Sequence, residues 1–432
     1  MNGRYPEQIE IRPVQLPVQG TATPPGSKSL TNRALVLAAL AGHRVTLHGC
    51  LESEDTAVMV QALRQLGYQV TIEGTTFHVQ PGPPPDSGAA GSALDLFVGN
   101  SGTTIRFLTA MLALRPGSYR LDGVSRMRQR PIADLIDALG QLGIQAEAPS
   151  GCPPVTLRGG GWKGGRITLR TDVSSQFLSG LLLAAPFADC DSTGFRLEGP
   201  LVSEPYVFMT LKMLQQWGLQ ARIDLVPGRQ RTTLTHYVIE PDASAASYLF
   251  AVAAITGGQV TVAGLTRRSL QGDVAFVDAL AQMGCRVDAN DAGITVQGGP
   301  LHGISLDMNA ISDTVMTLAA VALFADGPTH LTNVGHIRHK ETDRLHALAT
   351  ELRRLGARVD EEANGLRIQP GPLQGCVVQT YDDHRMAMSL ALAGLRVPGV
   401  VIDNPACVAK TYPAFFDDLE RLTKPFRSEA SQ

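Results

Sequence analysis

Charge of either sign in excess is missing from this chain. Lys and Arg number 37 against 40 Asp and Glu, a formal net of −3 over 432 residues, so there is no generic polyanion-binding surface and nucleic acid is not an expected partner. Long apolar runs are missing too. Stretches such as 178–188 and 316–325 hold about ten residues, short of the ~18 that a membrane-spanning helix needs, so no membrane role is expected. The six cysteines (Cys50, Cys152, Cys190, Cys285, Cys376 and Cys407) form no C-x-x-C pair and have no His partner at metal-ligand spacing. Reduced thiols in a cytosolic protein fit them, and residues 1–20, with Glu7, Glu10 and five prolines or glycines ahead of any apolar run, do not fit a secretory signal.

Several familiar cofactor and nucleophile motifs are also absent. A P-loop fails because Ser27 separates Gly26 from Lys28 and the glycine six positions before Gly26 is Gly20. GNSGT is not G-x-S-x-G, which disfavours a serine hydrolase, and no G-x-G-x-x-G follows a strand. There is no H-E-x-x-H. His336 and His339 stand three apart without a third ligand, which favours a structural or phosphate-contact role over a metal.

What is present is a repeat. A composition 44% hydrophobic and 18% charged, with 44 glycines, describes a loop-rich globular protein, and the length predicts two or three domains at roughly 100 to 200 residues each. A helix-like ending recurs five times: ALRQLGYQV, ALGQLGIQA, MLQQWGLQA, ALAQMGCRV and ELRRLGARV, with glycines at 67, 143, 218, 284 and 356. Each reads as an amphipathic helix closed by a left-handed glycine and followed by a strand. FFDDLERL is a truncated sixth copy. A second helix type, apolar nearly all round and therefore buried, starts near Ser29, Thr103, Ser175, Ser244, Thr314 and His384, again about 70 residues apart. Six copies are better read as two domains of three units than as a solenoid, with the divide between residues 240 and 242.

The polar chemistry collects just ahead of the helices. GSKSLTNR, GNSGTTIR, DVSSQ, DASAAS, ISDTVM and YDDHRM precede the buried ones. Thr103, Ser174 and Ser244 can be read simply as N-caps. That reading leaves out Lys28, Arg33, Arg106 and Arg385, since a cation at a helix N-terminus opposes the macrodipole, whereas exposed amides with cations nearby make an anion site. LESEDT, VSRMRQRP, LVSEPY, TRRSLQGD, HIRHKETDR and CVAKTYP precede the amphipathic helices. One basic loop alone is ordinarily a solvated face; recurrence in phase with the repeat favours a cleft for a substrate carrying several acidic groups.

Eight of these motifs in register resemble the enolpyruvyl transferase family, and within it the 3-phosphoshikimate 1-carboxyvinyltransferases, also called 5-enolpyruvylshikimate-3-phosphate synthases. They are PGSKSLTNRAL at Pro25, GNSGTTIR at Gly99, RPI at Arg130, VSSQFLSGLLLAAP at Val173, LVSEPY at Leu201, HKETDRL at His339, DDHRMAMS at Asp382 and AKTYP at Ala409. The similarity runs from about Pro13 to Leu422. It implies an α/β fold of two inverse α/β barrels, each of three βαβαββ units. One domain would span 24–240 and the other 1–23 with 241–432, hinged at the crossings near Thr23 and Glu240. The implied reaction moves the enolpyruvyl group of phosphoenolpyruvate to the 5-hydroxyl of shikimate 3-phosphate and releases phosphate, a step toward chorismate and the aromatic amino acids, in a cytoplasmic monomer without metal or organic cofactor.

The resemblance also implies roles. Lys28, Ser29, Arg33, Ser174, Ser175, Gln176, Ser203, Asp313, His336 and Lys340 would hold shikimate 3-phosphate, with Tyr206 packing nearby. Lys28, Asn100, Gly102, Arg130, Gln176, Arg344, Arg385 and Lys410 would hold phosphoenolpyruvate. Asp313 resembles the base and Glu341 the proton donor, with Lys28 a second candidate donor. Read alone, Asp313 is equally a helix cap, and Glu341, three before Arg344, equally half of a helix ion pair. The cation-bearing elements would repel one another, so a cleft open without ligand and closed by shikimate 3-phosphate is expected.

Two positions depart from the pattern. His336 stands where many relatives have Asn, and Phe107 follows GNSGTTIR where the plant and enteric type has Pro, which leaves the family's response to glyphosate open. Two other readings use the same scaffold. The UDP-N-acetylglucosamine enolpyruvyl transferases share it but lack DDHRMAMS and begin with a G-x-K-N segment where this chain has GSKS. A noncatalytic organic-phosphate binder should have lost Asp313, Glu341 or Lys28, and all three are present.

Overall fold

In the computed structural model, which describes residues 4–82 and 93–427, the chain divides into two compact units. The central unit is Gly26–Ile239, and the terminal unit combines Met1–Pro25 with Glu240–Gln432.

The central unit repeats one motif three times. Buried helices α1 (Lys28–Leu40), α3 (Gly102–Leu114) and α5 (Ser175–Ala184) pack on one another, while α2 (Glu54–Gln65), α4 (Ala133–Gln141) and α6 (Glu204–Gln216) carry polar outer faces. Each buried helix runs into the second strand of a parallel pair: His236–Val238 with Val45–His48 after α1, Leu94–Phe97 with Gly117–Asp122 joined by α3, and Gly165–Arg170 with Ser192–Glu198 joined by α5. The first of these pairs closes the unit, because its opening strand comes from the unit's own C-terminal end. After α2 and α4 an antiparallel hairpin completes the sheet.

The terminal unit follows the same plan with α7 (Ala243–Thr256), α9 (Val315–Ala322) and α11 (His384–Ala391) inside, and α8 (Phe276–Gln282), α10 (Arg344–Arg354) and α12 (Phe415–Thr423) outside. Its parallel pairs are Gln19–Ala22 with Gln259–Ala263, Ser305–Asp307 with Thr329–Thr332, and Val377–Val378 with Val400–Asp403. All 14 residues of α7 are buried, as an all-round apolar helix requires. A hydroxyl ladder, Ser247 to Thr317 (2.9 Å) to Ser389 (3.3 Å), ties α7, α9 and α11 together.

The six-fold βαβαββ reading holds in these elements. Glycines 67, 143, 218, 284 and 356 all have positive φ, between 75° and 110°, where a Cβ is strained. In the first and fifth copies an arginine three residues before that glycine forks onto one carbonyl of the following strand: Arg64 onto Val70 O (3.0 and 2.6 Å) and Arg353 onto Val359 O (3.1 and 2.7 Å). Two copies depart from the plan. The strand expected after Gly218 shrinks to a bridge between Arg222 and Leu225 and a two-residue strand ending at Pro227, which cannot donate to a ladder. In the sixth copy no hairpin follows α12 among the described residues; Gln8–Ile11 from the start of the chain supplies the antiparallel strand.

The caps differ in part from the simple reading. Ser174 does cap α5, accepting from the Gln176 N–H at 3.3 Å, but α3 is capped by Ser101 and α7 by Asp242. Thr103 and Ser244 sit inside their helices and bond to other groups instead: Thr103 to Asn32 and Asp55, Ser244 to Asp273.

Candidate active site

In the central unit the sequence-marked residues gather at the N-terminal ends of α1, α3 and α5. The Lys28 ammonium lies 3.8 Å from Oδ2 of Asp55, a buried carboxylate in the first turn of α2. Thr103 Oγ1 donates to the same oxygen at 3.2 Å, as does Asn32 Nδ2 at 3.4 Å, and Asn32 also donates to Thr103 at 2.9 Å. A single buried acid therefore fixes α1, α2 and α3 relative to one another and holds Lys28 at their common end. Such a carboxylate is tolerated inside because it meets two hydrogen-bond donors and a cation.

Gly102, the first residue of α3, lies under a guanidinium. A Cβ there would sit 2.4 Å from an Arg130 terminal nitrogen, so Gly102→Ala displaces Arg130. Arg130 is itself buried and donates to the Asn100 carbonyl (3.0 Å) and side-chain oxygen (3.2 Å). Arg106 turns back to Gly102 O (3.2 Å) and Pro131 O (2.7 Å), with its guanidinium over the Phe177 ring. Ser175 and Gln176 form the first turn of α5, and Ser203 opens α6 in a left-handed conformation, φ 51°.

Arg33 lies deeper than its motif suggests. It is 1% exposed, donates to Thr210 Oγ1 (2.8 Å), Ser179 Oγ (3.3 Å) and the carbonyls of Ser29 (3.0 Å) and Tyr206 (3.1 Å), and rests over the Phe107 ring. Burial pushes its pKa down to about 10. In this conformation Arg33 fastens α1 to α5 and α6, and Phe107 is its packing partner.

The terminal unit brings together the charged residues of four separate segments, ISDTVM, HKETDR, DDHRM and AKTYP. Arg344, 1% exposed, donates Nε to Asp383 Oδ2 (2.8 Å), one terminal nitrogen to Glu341 Oε2 (2.8 Å) and the other to Asp313 Oδ1 (3.4 Å). Burial alone would lower its pKa; the three carboxylates, Asp383 first, outweigh that and hold it above the ordinary value. Arg385 donates to Asp313 Oδ2 at 2.7 Å, and Lys410 stands 3.7 Å from Glu341 Oε1. Asp383 also caps α11 through the Arg385 N–H (2.9 Å). The sequence Lys410, Glu341, Arg344, Asp313, Arg385 is thus one alternating ion network.

Two simple readings fail on this geometry. Asp313 is not a cap: it lies in a 3-10 turn, Asn309–Thr314, and its carboxylate spans two guanidinium groups. Glu341 does pair with Arg344, but from outside the helix, which begins at Arg344 with Asp343 as its cap. The expected mutual repulsion of the cations is offset inside each unit, by Asp55 in one and by Asp313, Glu341 and Asp383 in the other.

His336 sits in the 3-10 turn Gly335–His339, just ahead of Lys340. Burial, with Lys340 adding to it, pushes its pKa down to about 3, so the imidazole is neutral in the fold. The unfolded chain then takes up the proton first, and stability falls as pH drops from about 6.5 toward 3, by about 1.4 kcal/mol per unit. Melting curves of His336→Asn should lose that share of the acid slope, and the His336 ring resonances should not titrate between pH 5 and 8. A midpoint near 6.5 would overturn the neutral assignment. Among the described residues no group of three His, Cys, Asp or Glu could hold a metal ion.

The family model described as EPSP synthase (3-phosphoshikimate 1-carboxyvinyltransferase) matches residues 14–419. The chain belongs to the EPSP synthase family. A Nostoc punctiforme relative named 3-phosphoshikimate 1-carboxyvinyltransferase is 46% identical over 419 residues, 95% of this chain and 98% of its own length. A relative of the same name from Shewanella denitrificans is 42% identical over 97% of this chain and 99% of its own. The solved EPSP synthase of Acinetobacter baumannii superposes with a TM-score of 0.78 at 26% identity, covering 98% of this chain and all of the other. The fold is therefore that of the EPSP synthases, an inverse α/β barrel in each unit. Two acids that organise the ends of these EPSP synthase barrels, Asp55 and Asp383, are not singled out by the sequence reading. The available signal was positional, since Asp55 lies in one of the six in-phase polar loops and Asp383 directly precedes a buried helix.

Proposed function

We propose that this EPSP synthase family member carries out its transfer with the charged and hydroxyl residues that its motifs mark in each unit. The activity moves the enolpyruvyl group from phosphoenolpyruvate to the 5-hydroxyl of shikimate 3-phosphate. By motif, Lys28, Ser29, Ser174, Ser175, Gln176, Ser203, Asp313, His336 and Lys340 are the residues for shikimate 3-phosphate; serine hydroxyls and first-turn amides suit its phosphate. Arg33 belongs to this set by motif and acts from beneath it. Arg344, Arg385 and Lys410, with Lys28, Asn100, Gly102, Arg130 and Gln176, take phosphoenolpyruvate, whose planar carboxylate and tetrahedral phosphate suit forked guanidinium donors.

The chemistry is an addition followed by an elimination. A proton from Glu341 or Lys28 adds to the methylene carbon, which leaves C2 electrophilic; the 5-hydroxyl oxygen bonds to C2 while Asp313 removes its proton. Loss of a methyl proton with departure of phosphate then restores the double bond, now in the product. Arg344 is the observation that carries this assignment. One buried guanidinium joins the candidate base and the candidate acid at 3.4 and 2.8 Å, so both are held on a common rigid partner. The free thiols of all six cysteines support a cytoplasmic setting.

The test is product identification by mass spectrometry with both substrates supplied. One enolpyruvyl adduct of shikimate 3-phosphate per phosphate released is expected, and none with UDP-N-acetylglucosamine as acceptor. Turnover of the sugar nucleotide, or phosphate release without an adduct, would overturn the reading.

A further inference from the structure

Glu351 is a buried acid that the chemistry above does not use. It lies on α10 two turns beyond Arg344, on the same helix face, and is fully buried. Its Oε2 accepts from the backbone N–H of Gln379 at 3.1 Å and from Arg354 at 2.6 Å, and its Oε1 accepts from the Tyr381 hydroxyl at 2.9 Å. The hydroxyl beside this carboxylate is held in its protonated form, its pKa raised to about 12 by burial and by Glu351.

The segment that Glu351 grips is strained. Tyr381 and Asp382 are consecutive non-glycine residues in the left-handed region, at φ 55° and 54°. Such a pair persists only where surrounding contacts over-determine it. Directly after it come Asp383, which takes Arg344 and caps α11, and Arg385, which takes Asp313. Helix α10 therefore holds this loop at two points: Arg344 grips Asp383 at one end of the helix, and Glu351 grips Gln379 and Tyr381 two turns on.

We propose that Glu351 is a positioning residue for the phosphoenolpyruvate subsite: through Gln379 and Tyr381 it holds the strained turn that aims Asp383 and Arg385. The inference rests on the assignment of Arg344 and Arg385 to phosphoenolpyruvate. A role in positioning differs from a role in stability because it falls on one substrate. Glu351→Gln keeps the volume of the side chain and weakens its charge-assisted bonds. It should raise the KM for phosphoenolpyruvate about five- to twentyfold, with kcat within threefold and the Kd of shikimate 3-phosphate within twofold. Tyr381→Phe, which removes one hydroxyl and leaves Glu351 in place, should raise the same KM about two- to fivefold.

A glycine at position 382 adopts φ 54° without strain, so Asp382→Gly in the Glu351→Gln background should recover most of the lost affinity. Arg385→Lys serves as the control for the subsite itself and should raise the KM for phosphoenolpyruvate at least tenfold. If Arg385→Lys does so while Glu351→Gln and Tyr381→Phe leave KM unchanged, the positioning role is overturned and the subsite stands. If none of the three moves it, the subsite assignment fails and the positioning role with it. Should Glu351→Gln not fold, Tyr381→Phe decides alone.

Discussion

Replacing Asp313 with Ala should lower kcat about 10²- to 10⁴-fold, the range for losing a positioned general base, while shikimate 3-phosphate still binds. The geometry adds a second half to the expectation. Asp313 spans Arg385 at 2.7 Å and Arg344 at 3.4 Å, the two arginines proposed above for phosphoenolpyruvate. Removing it leaves those donors to the substrate, and KM for phosphoenolpyruvate should stay level or fall. A loss of kcat with a large rise in that KM would mean that Asp313 holds the arginines in place and does not act on the hydroxyl. Near-normal turnover would remove it from the chemistry altogether.

The largest expected effect on stability comes from Asp383→Ala. Asp383 has no exposed surface and takes Arg344, itself 1% exposed, through two oxygens at 2.8 and 3.3 Å. Taking one partner out of a buried pair costs about 3–5 kcal/mol, and although Glu341 and Asp313 stay on Arg344, the Nε donor loses its acceptor. The N-cap of α11 goes with it, worth about 1 kcal/mol more. For a unit of this size the combined loss lowers the calorimetric transition by roughly 8–24 °C. A drop under 2 °C would show that Asp313 and Glu341 suffice for Arg344 and that Asp383 is dispensable to the network.

Much of the architecture was legible because the repeat writes it six times. The buried helices begin within one residue of the positions read from the sequence, and the five closing glycines all take the left-handed conformation. Local patterns of this kind depend on residues three or four apart. What could not be read depends on distant pairs. Arg344 and Asp383 are 39 residues apart and Arg385 and Asp313 are 72 apart, so a base candidate looked like a cap until its partners were placed. Arg33 shows the reverse case. Its motif marks a site residue, yet Thr210 and Ser179, from α6 and α5, draw its guanidinium beneath the helix ends. The missing hairpin after Gly218 has a local cause in Pro227, but the number of strands that survive depends on the neighbouring strand at Ser192 and Thr193.

In the proposed reaction the enolpyruvyl group passes through a protonated, methyl-bearing C2 adduct, with Glu341 or Lys28 supplying the proton and Asp313 taking that of the hydroxyl. Turnover in D2O with both substrates measures this directly. A methylene carbon that gains a deuteron and later loses a proton carries deuterium into the vinyl group of the product, and mass spectrometry or NMR reads it there. The account predicts deuterium in the product's vinyl positions under single-turnover conditions, and a Glu341→Gln variant that slows label entry and product formation together. A product free of vinyl deuterium would contradict the account, because the group would then have moved without its methylene carbon ever being protonated.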